Sequence, residues 1–432
     1  MDTLTHVLRG LIGIAAFLGI AAACSSNRRA IPWRLVGAGM LLQLVFAFAV
    51  LKVPLCKDAM DAVATFFVRI LDFSLEGAAF LFGPLVTDAK TFPFIFAFKV
   101  LPTIIFFAAF TSALYYLGIL QRIVYGIAWV MSKTMRLSGA ESLSAAANIF
   151  IGQTEAPLLI RPYLEKMTRS EILCVMIAGM ATIAGGVMAG YVGMLGGNSE
   201  ASRQLFALHL LTASILSAPA AVLTAKILLP ETEPISTELL IPRERIGANF
   251  LDAISNGTTD GLKLALNVGA MLVAFIALVA LVNWCFARGP GSWFGLNDWA
   301  VTISAGRYHE FNLQFAFGLA FAPLAWLMGV PTQDLLVAGQ LLGEKTIINE
   351  FVAYGSLAQL KDAGAITDLR SVIIMTYALC GFSNISSIGI QIGGIGALAP
   401  NQRATLASLG IKALIGGTIA CFLTACVAAM LT

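Results

Sequence analysis

A succession of long apolar runs limits what this chain can fold into. They are Leu4 to Ala23, Leu35 to Val53, Phe92 to Leu117, Glu171 to Leu195, Leu205 to Leu229, Leu262 to Phe286, Arg370 to Leu398 and Leu406 to Leu431. About 20 apolar residues in a helix cross the hydrocarbon core of a bilayer. Backbone polar groups in lipid must be satisfied internally, so runs of this length and number imply helices. The expected fold class is therefore an all-α polytopic membrane protein with about eight transmembrane helices. Composition agrees: 58% of the 432 residues are hydrophobic and 12% are charged, against roughly 25% charged in a soluble domain. The net charge of +3 gives no reason to expect nucleic acid as a partner. The partner to expect is the lipid bilayer.

Flanking charge suggests orientation. Arg28, Arg29 and Arg34 lie between the first two runs, so that loop is expected in the cytoplasm and the N-terminus outside. Those flanks also favour a first spanning helix over a signal peptide ending at Ala21-Ala22-Ala23-Cys24. Asp58 to Leu85 and Gln121 to Met135 mix charged and apolar residues at helical spacing. Both are expected to be amphipathic helices lying along the interface.

Glu155 breaks this pattern. It sits in Gly152-Gln153-Thr154-Glu155-Ala156-Pro157, inside the apolar stretch Ala140 to Leu164. An ionisable group at membrane depth points to function. Gly152 and Pro157 disfavour a continuous helix. Arg122, Lys133 and Arg136 precede the stretch, and Arg161, Lys166 and Arg169 follow it. Positive flanks on both sides favour a re-entrant hairpin over one crossing helix. The next run contains Thr182-Ile183-Ala184-Gly185-Gly186. This is either an unwound centre or a small-residue packing face, with Gly186 and Gly190 four apart.

The second half repeats this order. Leu313 to Met328 and Leu335 to Leu357 are apolar arms joined at Gly329-Val330-Pro331-Thr332, the second arm carrying Glu344-Lys345 and Asn349-Glu350. Glu344 and Lys345 are expected to pair with each other. Arg370 to Leu398 contains Gly381-Phe382-Ser383-Asn384-Ile385-Ser386-Ser387, which argues for an unwound centre. Counting spans, the two hairpins open to opposite sides. This is an inverted repeat, with its site expected at the midplane. The expected organisation is scaffold and interfacial helices in residues 1–135 and a first repeat in 136–229. A cytoplasmic linker (Glu231 to Ile254, with Arg243 and Arg245) and scaffold helix fill 230–290, and a second repeat fills 291–432.

The seven Cys are scattered without a CxxC pattern and read as small core residues. His6, His209 and His309 are too dispersed for a metal site, and His309-Glu310 is not part of HExxH because residue 313 is Leu. With no GxSxG either, an enzyme is not expected.

At Gly152–Pro157, Asn349-Glu350-Phe351-Val352-Ala353-Tyr354 and Gly381–Ser387, the sequence resembles the concentrative nucleoside transporters. The likeness extends to Ser144-Ala145-Ala146-Ala147-Asn148 and Thr182–Gly186, and covers most of the chain from about Phe92 onward. It implies cation-coupled import of nucleosides across a bacterial inner membrane by a homotrimer. It further implies that Gln153, Thr154 and Glu155 face the nucleobase, that Val187 and Phe382 pack against it, and that Glu350, Asn384 and Ser387 hold the ribose. The coupling ion, Na+, would fall on the Asn148 and Thr182 side chains and the Ile151 and Ile183 carbonyls. The chemistry of these residues suits the implied roles. A carboxylate such as Glu350 accepts charge-assisted bonds from sugar hydroxyls, Gln153 offers donor and acceptor to a base edge, and Phe382 offers an aromatic wall. Proton coupling through Glu155 or Glu350 stays open, as does a hairpin-type symporter of another small polar solute. An anionic solute would call for an Arg at the site, and two carboxylates stand there instead. Glu155 also has a structural alternative, pairing with a buried Lys or capping a half-helix.

Overall fold

Helices make up the regular structure among the described residues, 3–88, 90–92, 94–236 and 247–432, of this computed structural model. The chain opens with α1 (Thr3–Ala23), α2 (Trp33–Lys52), α3 (Pro54–Phe82), the single turns α4 (Pro84–Thr87) and α5 (Phe96–Lys99), α6 (Leu101–Tyr116) and α7 (Ile119–Met135). Next come α8 (Gly139–Ala147), α9 (Arg161–Leu164), α10 (Arg169–Ala181), α11 (Gly185–Gly196) and α12 (Glu200–Leu228). After α13 (Phe250–Phe286) and α14 (Leu296–Ile303) follow α15 (Leu313–Leu327), α16 (Leu335–Gly343), α17 (Glu350–Asp362), α18 (Leu369–Leu379), α19 (Ile385–Leu398) and α20 (Arg403–Leu431).

Among the described residues, seven helical stretches are long and apolar enough to cross a membrane. The expected eighth, Arg370 to Leu398, divides into α18 and α19, with Cys380–Asn384 irregular between them. Its Ser, Asn and Gly side chains compete with the helix for hydrogen bonds. α10 and α11 part in the same way at Thr182–Ala184. α13 starts at Phe250, before the expected Leu262, because Asn249 caps it by accepting from the Asp252 N–H at 2.9 Å. The linker arginines Arg243 and Arg245 lie outside the described residues.

α3 and α7 are amphipathic as expected. α7 buries Leu120, Val124, Ala128, Met131 and Met135, one face at helical spacing. α10, α12 and α20 form the centre and are buried over most of their length. α1 packs on α20, and α2 packs on α12 and α20. Gln43 of α2 secures that contact by donating to the Leu216 carbonyl at 2.8 Å. α13 pairs with α6 over glycines: a Cβ on Gly257 or Gly261 would lie 2.6–2.8 Å from the nearest atoms of Ser112, Ala108 and Ile105. Gly186 and Gly190 face α6 in the same manner, with Phe107 and Val100 at 3.1 and 2.7 Å from such a Cβ. Both readings of Thr182–Gly190 therefore hold, a break followed by a small-residue face.

Element order recurs. α7, α8, α10, α11 and α12 have 17, 9, 13, 12 and 29 residues; α15, α16, α18, α19 and α20 have 15, 9, 11, 14 and 29. The turn at Gly329–Thr332 joins two packed arms, α15 and α16. The chain leaves the helix at Asn148–Glu155 and again at Asn349. After the first of these come a 3-10 turn, Ala156–Ile160, and then α9; after the second comes the regular helix α17.

The starts of α8 and α10 are fixed by buried charge. Ser138 and Glu141 form a capping box on α8, and Thr168 and Glu171 form another on α10. Lys226 of α12 meets Glu141 at 2.5 Å and Ser170 Oγ at 2.9 Å. At the other turn, Arg9 donates to the Val330 carbonyl at 2.7 Å and Arg370 to the Ala429 carbonyl at 2.6 Å. All seven cysteines are unpaired; Cys24, Cys56 and Cys285 are not buried, which corrects their reading as core residues.

Candidate substrate and ion site

Helix capping aims the polar groups. Asn349 caps α17 by accepting from the Val352 N–H at 3.0 Å, which sets Glu350 in the first turn. A carboxylate is favoured at that end of the helix dipole. Asn384 caps α19 through its Oδ1, which accepts from the Ser387 N–H at 2.9 Å. Its Nδ2 is left free to donate to Glu350 Oε2 at 2.7 Å. Glu350, 3% exposed, accepts at Oε1 from the Tyr191 hydroxyl at 3.2 Å. With one donor on each oxygen, the carboxylate keeps further lone pairs.

Gln153 joins the same group from the interruption after α8. Its Nε2 donates to Ser387 Oγ at 3.2 Å, and its Oε1 accepts from Gln391 Nε2 at 3.0 Å. Gln391 also donates to the Met176 carbonyl at 3.0 Å. Gln153, Ser387, Asn384 and Glu350 are thus brought together. Phe382 enters through its backbone, its N–H donating to the Thr182 carbonyl at 3.3 Å. Val187 is buried in the main core, and Phe382 packs against that core. Thr154 packs its methyl against α19, 2.8 Å from a Cβ built on Gly394.

Glu155 stands apart. Its carboxylate folds over Gly152, with Oε2 only 2.0 Å from where a Cβ would be. Its side chain is exposed. Among the described residues it forms no ion pair; the two most buried lysines, Lys226 and Lys345, turn to Glu141 and to the Ala378 carbonyl. The alternative of pairing with a buried Lys does not hold.

The residues expected to hold an ion fit a small cation. Asn148 donates through Nδ2 to the Ser144 carbonyl at 2.9 Å, while its Oδ1 is buried with no donor. Thr182 donates to the Ala178 carbonyl at 2.8 Å and so presents only lone pairs to its other side. Ile151 and Ile183 lie at the two interruptions beside them. Among the described residues there is no cluster of His, Cys, Asp and Glu suited to a transition metal.

Two members of the group, Tyr191 and Gln391, were not singled out from the sequence. Each stands four residues beyond one that was, Val187 and Ser387, on the same helix face. Tyr191 also stacks on Tyr354, with centroids 4.1 Å apart.

A helical membrane protein whose buried carboxylate, amides and hydroxyls meet where helices are interrupted is built as a secondary transporter. Residues 209–429 match the family described as Na+ dependent nucleoside transporter C-terminus, residues 12–85 the corresponding N-terminus, and residues 97–198 a family described as nucleoside recognition. The chain is 42% identical over 430 residues to an uncharacterized transporter of Haemophilus influenzae, covering 98% of this chain and 97% of that one. It is 38% identical over 429 residues to the nucleoside permease NupC of Helicobacter pylori, covering 98% and 97%. The structure of CNTnw in an inward-facing substrate-bound state superposes with a TM-score of 0.89 at 38% identity, over 99% of this chain and 98% of that one. The chain belongs to the concentrative nucleoside transporter family.

Proposed function

We propose that this protein is a sodium-coupled symporter that imports nucleosides across a bacterial inner membrane. The observation that carries the reading is the hydrogen-bonded group Gln153–Ser387–Asn384–Glu350, assembled from both halves of the chain. Glu350, Asn384 and Ser387 bind the ribose hydroxyls. Gln153, Thr154 and Glu155 face the base, and Val187 and Phe382 wall it in. Asn148 and Thr182, with the carbonyls of Ile151 and Ile183, hold Na+. The unpartnered Asn148 Oδ1 supports that assignment.

The elements around 139–164 and 335–362 act as re-entrant hairpins of opposite orientation in an inverted repeat; their recurring lengths support this. Repeats 136–229 and 291–432 move as an elevator against a scaffold drawn from 1–135 and 230–290. The glycine-faced contact of α11 with α6 gives such a movement a smooth surface. Apolar side chains such as Leu266, Val273 and Ile276 are exposed along α13, which supports assembly as a homotrimer.

Uptake of uridine and adenosine into proteoliposomes, at fixed pH and varied sodium, tests the whole reading. Uptake should require sodium, and preloaded nucleoside but not amino acid should drive counterflow. Uptake that follows a proton gradient and ignores sodium would shift coupling to Glu155 or Glu350. Absence of nucleoside counterflow would overturn the substrate.

A further inference from the structure

Lys345 is 1% exposed and forms no ion pair among the described residues. It does not pair with its neighbour Glu344, as the sequence suggested. Glu344 accepts instead from Gln340 at 2.9 Å, and Gln340 accepts from the Tyr308 hydroxyl at 2.7 Å. Lys345 Nζ donates to the Ala378 carbonyl at 2.8 Å. The Glu350 carboxylate feels the charge of Lys345 without pairing with it, and a buried ammonium outside an ion pair is costly unless its surroundings compensate. Ala378 lies in the last turn of α18, where carbonyls lack helical partners and the dipole favours a cation. Two other acceptors at that end are served by neutral donors. Tyr354 donates to the Thr376 carbonyl at 2.7 Å, and Cys421 Sγ to the Cys380 carbonyl at 3.0 Å.

The matching place in the first repeat lacks a built-in cation. Asn148 is the C-cap of α8, Glu344 is the C-cap of α16, and Lys345 is the next residue. α10 ends at its break as α18 does, but what α8 brings there is the bare Asn148 Oδ1. One break therefore presents an oxygen in want of a cation, and the other already carries an ammonium.

We propose that Lys345 Nζ is the resident cation of the second repeat, standing where the sodium ion stands in the first. Both cations are monovalent and both are satisfied by carbonyl oxygens released at a helix break. The second break is then held in its binding shape whether or not sodium is present. Only the first repeat exchanges its cation with solution, and one sodium moves per nucleoside. This inference rests on the sodium site and repeat correspondence proposed above.

The test combines flux stoichiometry with Lys345 variants. Reversal potentials of wild-type proteoliposomes should give one sodium per nucleoside. Lys345→Met, which keeps bulk and loses charge, should bind nucleoside about tenfold or more weakly, the scale of a hydrogen bond to a charged group. Lys345→Ala, which opens space, should regain binding on addition of ethylammonium. Alternatively it should admit a second sodium, its Hill coefficient rising from about one towards two. Lys345→Arg should keep a coefficient of about one and ignore ethylammonium. Two sodium ions per nucleoside in the wild type overturns the inference even if the Met and Ala variants fail to fold. So does wild-type affinity in Lys345→Met, or a folded Lys345→Ala whose binding neither cation changes. Any of these beside an Asn148→Ala variant that has lost sodium dependence overturns this inference alone. Wild-type uptake that ignores sodium overturns the sodium site with it.

Discussion

The N–H of Phe382 donates to the carbonyl of Thr182 at 3.3 Å, so the two broken helices are tied at their breaks. One partner belongs to the proposed ion site and the other to the proposed substrate wall. The contact is close because residue 381 is glycine. Gly381 has φ +145°, and a Cβ there would lie 2.7 Å from the Met180 carbonyl oxygen and 2.9 Å from the Ala181 carbonyl carbon. Those are backbone atoms that cannot swing aside.

Gly381→Ala is therefore expected to push the breaks apart and uncouple the two ligands. In the wild type sodium should tighten nucleoside binding, and nucleoside should tighten sodium by the same factor, typically 1–3 kcal/mol. In the variant that factor should shrink towards one. Titrations of uridine with and without sodium measure it; an unchanged factor removes the contact from the coupling route.

Glu350→Gln keeps shape and removes charge. A loss of nucleoside affinity of about 1.5–3 kcal/mol is expected, together with loss of discrimination against 2′- and 3′-deoxy analogues. Uridine binding as tight as wild type would take Glu350 out of the ribose site.

Tyr191→Phe tests a residue that the structure added. The ring keeps its stack on Tyr354, but Glu350 Oε1 loses its donor. Affinity should fall by about 1–2 kcal/mol, at the lower end for bonds to a charged group. The loss should vanish in a Glu350→Gln background. Additive losses in the double-mutant cycle would place Tyr191 elsewhere in the mechanism.

Much of this was legible in the sequence because charge and glycine are expensive inside apolar runs. Glu350, Asn384 and the two breaks stood out for that reason, and the structure places them together. Tyr191 and Gln391 gave no such signal, since an aromatic or an amide on a helix has several uses. Their roles follow from what faces them. The turn at Gly329–Thr332 was visible, and it joins α15 to α16; the short 3-10 turn and α9 after Glu155, unlike the regular α17 after Asn349, were not. Lys345 looked like half of a local ion pair. Glu344 turned to Gln340 instead, and the ammonium found Ala378.

Asn148→Ala and Thr182→Val each remove one neutral oxygen from the proposed ion site. Thr182→Val also frees the Ala178 carbonyl that the hydroxyl serves. Both should raise the sodium concentration for half-maximal uptake well before nucleoside affinity at saturating sodium declines. Nucleoside affinity falling first, with sodium dependence intact, would remove the ion from this place.

The moving unit can be drawn by cross-linking in a cysteine-free background. A Cβ on Gly186 would lie 3.1 Å from Phe107 Cβ, a little inside the Cβ separation of about 3.5–4.5 Å in disulfides. Gly186→Cys with Phe107→Cys should therefore join α11 to α6 after a slight shift. If the repeats slide past the scaffold, oxidation should stop uptake and reduction restore it. A second pair probes where the scaffold ends: Phe17 of α1 and Phe422 of α20 have ring centroids 5.2 Å apart. With α1 in the scaffold, Phe17→Cys with Phe422→Cys should block uptake on oxidation as well. Blocked uptake in the first pair and normal uptake in the second would place α1 with the moving unit. Normal uptake in both oxidised pairs would rule out a sliding movement along α6.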